Sequence, residues 1–459
     1  MTGMYEQVLP SVANDEATSL HSHIVYPVLS VWRESRPQKP PYAFRCFAVK
    51  NGLLYSMTAQ RQIQQSQLPP AQPAYILRGH KAQIHALQFL RGNSRLLSGD
   101  ADGIIIIWDV SIKRPKAVWK GHAGAILGFA VWSDDQIISH GRDGKLNVWQ
   151  IRENDENYLS RELPVEENTE GDWKQPWLLH SLQVHTLNFC AFSMCRTQTG
   201  DGILVATPAA NEGCTVIHEL PSEQAKYLLP PAETGKTGMV MALRILFFED
   251  RLHVVTGYES GLTSVQRLKA GADHDWETTS ICKPHTQPIL SLDVLPNSGV
   301  YFTSGADAII ASVSLRATNE RKPLKVNNTK HSGQQGLSVR SDGKIFATAG
   351  WDWRIRVYSA KTLKEVAVLK WHKEGCYSIA FAQLEDVDGS MVTVSEPARL
   401  ERDDEIKDDH ENRAEQSLTA TFSGQNIITV RQRREDLSRK THWLAAGSKD
   451  GKISLWDIY

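Results

Sequence analysis

The sequence has no run of apolar residues long enough to cross a bilayer. Near its start the longest such stretch, residues 24–32, is broken by Pro27, and a spanning helix needs roughly 20 residues. The first 20 residues contain Asp15 and Glu16 but no Lys or Arg, so the basic segment of a secretory signal is missing. There is no excess of either charge: 51 Lys and Arg face 52 Asp and Glu, a net charge of -1. A chain so balanced has no global attraction to nucleic acid or to an acidic membrane. Cys-x-x-Cys is also absent. The six cysteines, Cys46, Cys190, Cys195, Cys214, Cys282 and Cys376, are scattered. Scattered thiols suit a reducing compartment, and the chain is expected in the nucleus or cytoplasm.

What the sequence does have is a repeat. Gly79-His80 is followed by Trp108-Asp109, Gly121-His122 by Trp149, and the chain closes on Trp456-Asp457-Ile458-Tyr459. Gly-His and Trp-Asp recurring at about 40–45 residues mark the WD40 β-propeller. One such unit is a four-stranded blade that cannot bury both faces alone, so blades stack in a ring. Hydrophobic residues make up 41% of the chain, enough for one large closed domain.

Each strong repeat carries a His before the first strand, a Ser or Thr, an Asp four positions later in the turn between the second and third strands, and an aromatic six positions beyond. Chemically, the Asp accepts from the His ring and backbone amides, the His holds the hydroxyl, and the hydroxyl meets the indole N–H, so buried polar groups are paired. Blade 1 reads His80, Ser98, Asp102, Trp108; blade 2 reads His122, Ser139, Asp143, Trp149; blade 6 reads His331, Thr348, Asp352, Tyr358. Blade 5 has His285, Thr303 and Asp307 but Val313 for the aromatic. Blade 7 has His372, Asp450 and Trp456, with Ala446 in place of the hydroxyl. Blades 3 and 4 are degraded. Their first three strands are expected at residues 187–192, 203–206 and 215–218, and at 241–247, 252–256 and 263–266. The fold class is therefore all-β, a seven-bladed propeller over residues 74–459, after a mostly flexible Gln- and Pro-rich extension at 1–73.

Trp-Asp ends a third strand, so blade 7 lacks a fourth strand at its own C-terminus. Ala74-Tyr75-Ile76-Leu77 precedes the first Gly-His with no blade before it, and is expected to supply that strand and close the ring. His372 to Asp450 spans 78 positions where His80 to Asp102 spans 22. The difference places an insertion at 385–440 inside blade 7. It is acidic around Glu401, Asp403, Asp404 and Glu405, basic at Arg431, Arg433, Arg434, Arg439 and Lys440, with a predicted hairpin over 418–430. A second, acidic insertion at 152–176 carries Trp173, and a third lies at 194–202. All three join strands whose loops leave one face of the ring.

Other motifs dissolve into the repeat. Thr234-Gly235-Lys236-Thr237 ends like a phosphate-binding loop, but Pro230 stands where that loop needs Gly. Trp351-Asp352-Trp353-Arg354 spells a ubiquitin-ligase docking box, yet its Asp belongs to the turn and not to the end of a strand. His180 and His185 near Cys190 and Cys195 are explained by a strand start as readily as by zinc. No catalytic set, cofactor site or metal site is read. The Arg431–Lys440 run is read as a solvated loop before a nucleic-acid contact.

The segment Pro70-Ala71-Gln72-Pro73-Ala74-Tyr75-Ile76-Leu77-Arg78-Gly79-His80, then Leu97-Ser98-Gly99-Asp100-Ala101-Asp102-Gly103, together with Ala445-Ala446-Gly447-Ser448-Lys449-Asp450-Gly451 near the end, resembles the fungal WD-repeat subunits associated with the ASTRA complex. The resemblance covers roughly residues 70–459; residues 1–69 depart from the pattern. It implies a nuclear, non-enzymatic scaffold without cofactor, linked to chromatin remodelling and to maturation of phosphatidylinositol-3-kinase-like kinases. The implied partners are protein subunits of that assembly, with no membrane, small-molecule substrate or direct nucleic acid. Animal relatives are described as G-protein β-like, but residues 1–73 show no heptads. The competing reading is a substrate receptor of a cullin-type ubiquitin ligase.

Overall fold

The computed structural model describes residues 71–164, 173–384 and 429–458, apart from 187–188, 199, 234–235, 270, 272–273 and 317–320, together with two short strands nearer the N-terminus. Contacts divide the chain into residues 1–67 and 68–459. In the first unit Ala48–Lys50 pairs antiparallel with Leu53–Tyr55.

The second unit is a propeller of seven four-stranded antiparallel sheets. With strands lettered a to d from the axis outward, blade 1 runs Ile84–Leu90, Arg95–Asp100, Ile104–Asp109 and Arg114–Lys120. Blade 2 runs Ile126–Ser133, Gln136–Gly141, Lys145–Gln150 and Trp177–Gln183. Blades 3 to 6 begin at Ser193, Val240, Ile289 and Gln334. Blade 7 is composite. Cys376–Phe381, Trp443–Ser448 and Lys452–Asp457 come from the C-terminal end, and strand d is Tyr75–Arg78. Tyr75 faces Leu455 and Arg78 faces Lys452, and the Ala74 amide extends the ladder to the Leu455 carbonyl at 2.8 Å.

Strand c of blade 1 shows why the blades stack. Ile104 to Ile107 are all buried, as expected of a strand covered on both faces. Side chains alternate across a strand, so Ile104, Ile106 and Trp108 pack with Leu77, Ile453 and Leu455 towards blade 7. Ile105 and Ile107 pack with Ile126, Ile137 and Trp149 towards blade 2. Each such side chain contributes about 1.5–3 kcal/mol by leaving water. The turns between strands b and c seal the same joints. Gly103 has φ +80, and a Cβ there would lie 2.1 Å from the His122 carbonyl of the next blade; Gly451 stands against the His80 carbonyl in the same way.

Local expectations shift in two places. Strand a of blade 3 is Ser193–Arg196, not residues 187–192, so the loop after it is 197–202. Phe189 in the earlier segment is half exposed, and its ring is engaged elsewhere. The expected hairpin at 418–430 falls largely outside the described residues, but its end is helical: Val430–Lys440 forms a helix. The cause is local. Thr429 accepts from the Gln432 amide while the Gln432 side chain accepts from the Thr429 amide, a capping box that overrides the β-rich run before it.

Candidate functional site

The polar sets come first, because they position the loops. In blade 2 the His122 Nδ1 lies 3.0 Å from Asp143 and its Nε2 lies 2.7 Å from Ser139 Oγ, to which Trp149 donates at 2.8 Å. Burial alone would raise the Asp143 carboxyl; the His122 bond and the Ala123 and Lys145 amides instead bring it down to about 2. Blade 5 forms the same set without an aromatic, through His285, Thr303 and Asp307.

Blade 1 requires a correction. His80 bonds Asp100 at 2.7 Å, not Asp102. Asp100 also accepts from the Asp102 and Ile104 amides, and the Asp102 side chain is exposed. Ser98 joins His80 and Trp108 at 2.7 and 2.8 Å.

Blade 6 departs further. His331 is 40% exposed and 3.7 Å from Asp352. Thr348 instead donates to Gln334 Oε1 at 2.5 Å. Asp352 is held by both terminal nitrogens of the buried Arg356, at 3.0 and 2.6 Å. The guanidinium, two positions before Tyr358, neutralises the carboxylate and takes the place of the imidazole. Tyr358 stacks on Phe346 with centroids 5.2 Å apart.

Blade 7 recovers its missing hydroxyl. Ser454, directly opposite Ala446 in the ladder, bonds His372 Nε2 at 2.8 Å and accepts from Trp456 at 2.8 Å. Asp450 turns to Lys452, leaving His372 Nδ1 without a partner. Burial pushes His372 down to about 4, with Asp450 opposing.

The second region is the face where the a–b and c–d loops emerge. The insertion after strand c of blade 2 begins with a 3-10 turn, Asp155–Tyr158. Its Glu156 is fully buried and paired with Arg91 and with Arg95 Nε at 3.1 Å; Arg95 also reaches Glu153 and Asp109. Trp173 packs against the blade 1 core. In blade 7, Asn93 clamps both stems of the long insertion. Its amide donates to the Gln383 and Arg439 carbonyls at 2.7 and 3.2 Å, and its oxygen accepts from the Gln383 amide. The Trp443 indole holds the Ser438 carbonyl at 2.8 Å. The helix presents Arg431, Val430 and Leu437 to solvent. Arg431 pairs with Glu435 at 2.9 Å, and both insertions are anchored on the turn at residues 91–95 of blade 1. Sequence reasoning missed Asn93, whose left-handed backbone (φ 64) in a short turn was its only signal.

The remaining motifs fall in loops. Lys236 and Thr237 precede strand a of blade 4, with Lys236 exposed and Thr237 buried; 234–235 lie outside the described residues. Trp351 and Trp353 flank the b–c turn of blade 6. His180 pairs with Glu223 at 2.7 Å, Cys190 is buried, and no cluster of three metal-ligating side chains occurs among the described residues.

Seven four-stranded blades, three of them with a His–hydroxyl–carboxylate set, define a WD-repeat β-propeller. The profile of the family described as ASTRA-associated protein 1 matches residues 73–456. Among proteins of that description, one from Penicillium rubens is 46% identical over 437 residues, covering 85% of this chain and 98% of its own. One from Verticillium alfalfae is 47% identical over 399 residues, covering 84% and 93%. One from Schizosaccharomyces pombe is 32% identical over 345 residues, covering 67% and 93%. The chain belongs to the ASTRA-associated protein 1 family.

Proposed function

We propose that the chain is a non-catalytic scaffold subunit of an ASTRA-type assembly in the nucleus, serving chromatin remodelling and the assembly of phosphatidylinositol-3-kinase-like kinase complexes. The observation that carries this reading is the insertion face. Long loops between strands of a compact ring are usually functional, and here their stems are fixed to blade 1 by the Asn93 clamp and the buried Glu156 pairs. A loop held at its base presents its outer part in one direction, which lowers the ordering cost of binding.

The test replaces residues 385–428 with a short Gly-Ser link. The helix Val430–Lys440 is kept, because removing it would strip the Trp443 indole and Asn93 of their acceptors. The variant is expected to melt like the parent and to recover fewer assembly subunits on affinity purification. Undiminished recovery by a folded ring would move the binding surface elsewhere. Recovery of cullin-ligase adaptors in place of assembly subunits would overturn the reading itself.

A further inference from the structure

The face opposite the insertions carries an arc of aromatic rings that the scaffold reading does not use. His85, one position into strand a of blade 1, lies between two rings from other blades. Phe189, ahead of blade 3, has its centroid 5.7 Å away, and so does Tyr377 of blade 7, with interplanar angles of 29° and 6°. Blade 2 enters the ring through Ala123-Gly124-Ala125, which offers no bulk, so Phe189 reaches across it. Arg142 from the b–c turn of blade 2 caps Phe189 at 4.6 Å from its centroid, a cation–π contact. At the other end the arc continues through Gly375, whose Cβ would fall 3.2 Å from Tyr377 and 3.3 Å from the Trp351 backbone. Trp351 packs against Gly333, where a Cβ would collide with its ring, and its indole donates to Gln335 at 2.6 Å. Trp351, Trp353 and Phe189 remain 46–50% exposed. Large aromatic side chains held in place yet open to water are unusual on a surface with no partner.

The exposed charge beside this arc is mixed, with Arg142, Lys373 and Lys449 outnumbering Glu374 and Asp102. The Lys449 amide bonds the Gly375 carbonyl at 2.8 Å, which puts that lysine beside Tyr377 and Trp351. Lys373 links the arc to a shallow cavity of about 270 Å³ at the edge of blade 7, lined also by Arg78, Lys452, Asp450 and Trp371. Three nearby carboxylates are engaged, Asp450 with Lys452, Asp352 with Arg356 and Asp143 with His122, while Glu374 and Asp102 are exposed. Aromatic anchors beside an excess of exposed cations are the composition of a binding hot spot, and complementarity selects a negatively charged partner.

We propose that this arc, continued over blade 7, is a docking site for an extended acidic peptide of a partner protein. An aromatic or long aliphatic side chain of the peptide rests on Trp351 and Phe189, and flanking carboxylates meet Arg142, Lys449 and Lys373. The site is independent of the insertion face and stands or falls without it.

The test uses the full chain and fluorescence anisotropy with three labelled probes of equal length. One is a peptide of Asp and Glu around a central Phe, one is its Lys-substituted counterpart, and one is single-stranded oligodeoxythymidine. The acidic peptide is expected to bind saturably, and at least tenfold more tightly than the other two. Trp351→Ala and, separately, the charge reversal Arg142→Glu/Lys449→Glu are expected to weaken it at least tenfold while the circular dichroism and melting temperature stay those of the parent. Because the charge-reversal positions are exposed, that variant keeps the test decisive if Trp351→Ala disturbs its turn. No saturable binding, equal affinity for the Lys-substituted peptide, preference for the oligonucleotide, or full affinity in the charge-reversed protein would each overturn the proposal.

Discussion

Replacing Asp100 with alanine is expected to be among the more damaging single changes in blade 1, and replacing Asp102 nearly silent. Asp100 is 1% exposed and accepts three hydrogen bonds, from His80 at 2.7 Å and from the Asp102 and Ile104 amides at 3.0 and 2.9 Å. After Asp100→Ala the exposed Asp102 can turn its amide to water. His80 and the Ile104 amide cannot, since both residues are buried. Two buried donors left unpaired cost about 1–3 kcal/mol each, so the loss is about 4 kcal/mol. At about 2 °C per kcal/mol for a large domain, the melting temperature falls by about 8 °C. Asp102→Ala removes an exposed side chain and should stay within about 0.5 kcal/mol. Differential scanning calorimetry of the two variants decides the matter. Equal losses, or a larger loss from Asp102→Ala, would refute the assignment of the carboxylate and the reasoning built on it.

Other consequences follow from the same geometry. Deleting residues 74–77 removes the outer strand of blade 7 and exposes the Leu77 pocket against Ile453 and Leu455. It should lower the melting temperature far more than deleting residues 1–69, and equal melts would argue against closure by that strand. Ser454→Ala leaves the His372 and Trp456 nitrogens unpaired at about 2–4 kcal/mol in all. Adding Ala446→Ser should restore part of that in urea titrations, because a hydroxyl then returns from the facing strand. Stability should also fall with acid. Burial lowers His372 to about 4 and His140 to about 3, so between pH 6.5 and 4 the unfolded chain takes up protons that the folded one refuses. Each histidine then contributes a loss of about 1.4 kcal/mol per pH unit. Asp143, held at about 2, adds its own loss only at lower pH. His372→Gln should remove one proton's worth of this slope in denaturation midpoints measured across pH.

The ring was legible because its signals are local. Gly-His, a turn Asp and a strand-ending Trp sit at fixed offsets along one blade, and the run Ala74-Tyr75-Ile76-Leu77, with no blade before it, pointed to the closing strand observed at Tyr75–Arg78. Three features were not legible, two because they depend on a neighbour in space and one because a local signal was outweighed by its surroundings. Ser454 replaces a hydroxyl from the adjacent strand, a substitution invisible to any spacing along the chain. Arg356 displaces His331 from Asp352 although the letters of the blade 6 set are intact. The capping box at Thr429 starts a helix inside a run of β-branched residues. Of the insertion face, the positions of the loops could be read, but the Asn93 clamp and the burial of Glu156 could not, since both join blade 1 to distant segments.

One position explains how the histidine is paired in blades 1, 2, 5 and 7. The residue two beyond the hydroxyl position is on the same side of strand b, next to the histidine. In blades 2 and 5 it is Gly141 and Gly305, whose Cβ would lie 2.2 and 2.8 Å from the imidazole nitrogen and 2.5 and 3.2 Å from the turn carboxylate. Glycine leaves that space open, and the turn Asp reaches in. In blade 1 Asp100 fills the space with a carboxylate of its own. In blade 7 the buried Ser448 fills it, and His372 Nδ1 goes unpaired. Asp100→Gly should therefore harm the protein less than Asp100→Ala, although glycine normally costs a strand more than alanine. It recreates the blade 2 pattern, with Asp102 at the spacing of Asp143, free to swing onto His80. The rescue must then depend on Asp102: Asp100→Gly/Asp102→Ala should fall to the stability of Asp100→Ala or below. If Asp100→Gly is as unstable as Asp100→Ala, or if the double variant is no worse than Asp100→Gly alone, the open space at that position is not what selects the carboxylate.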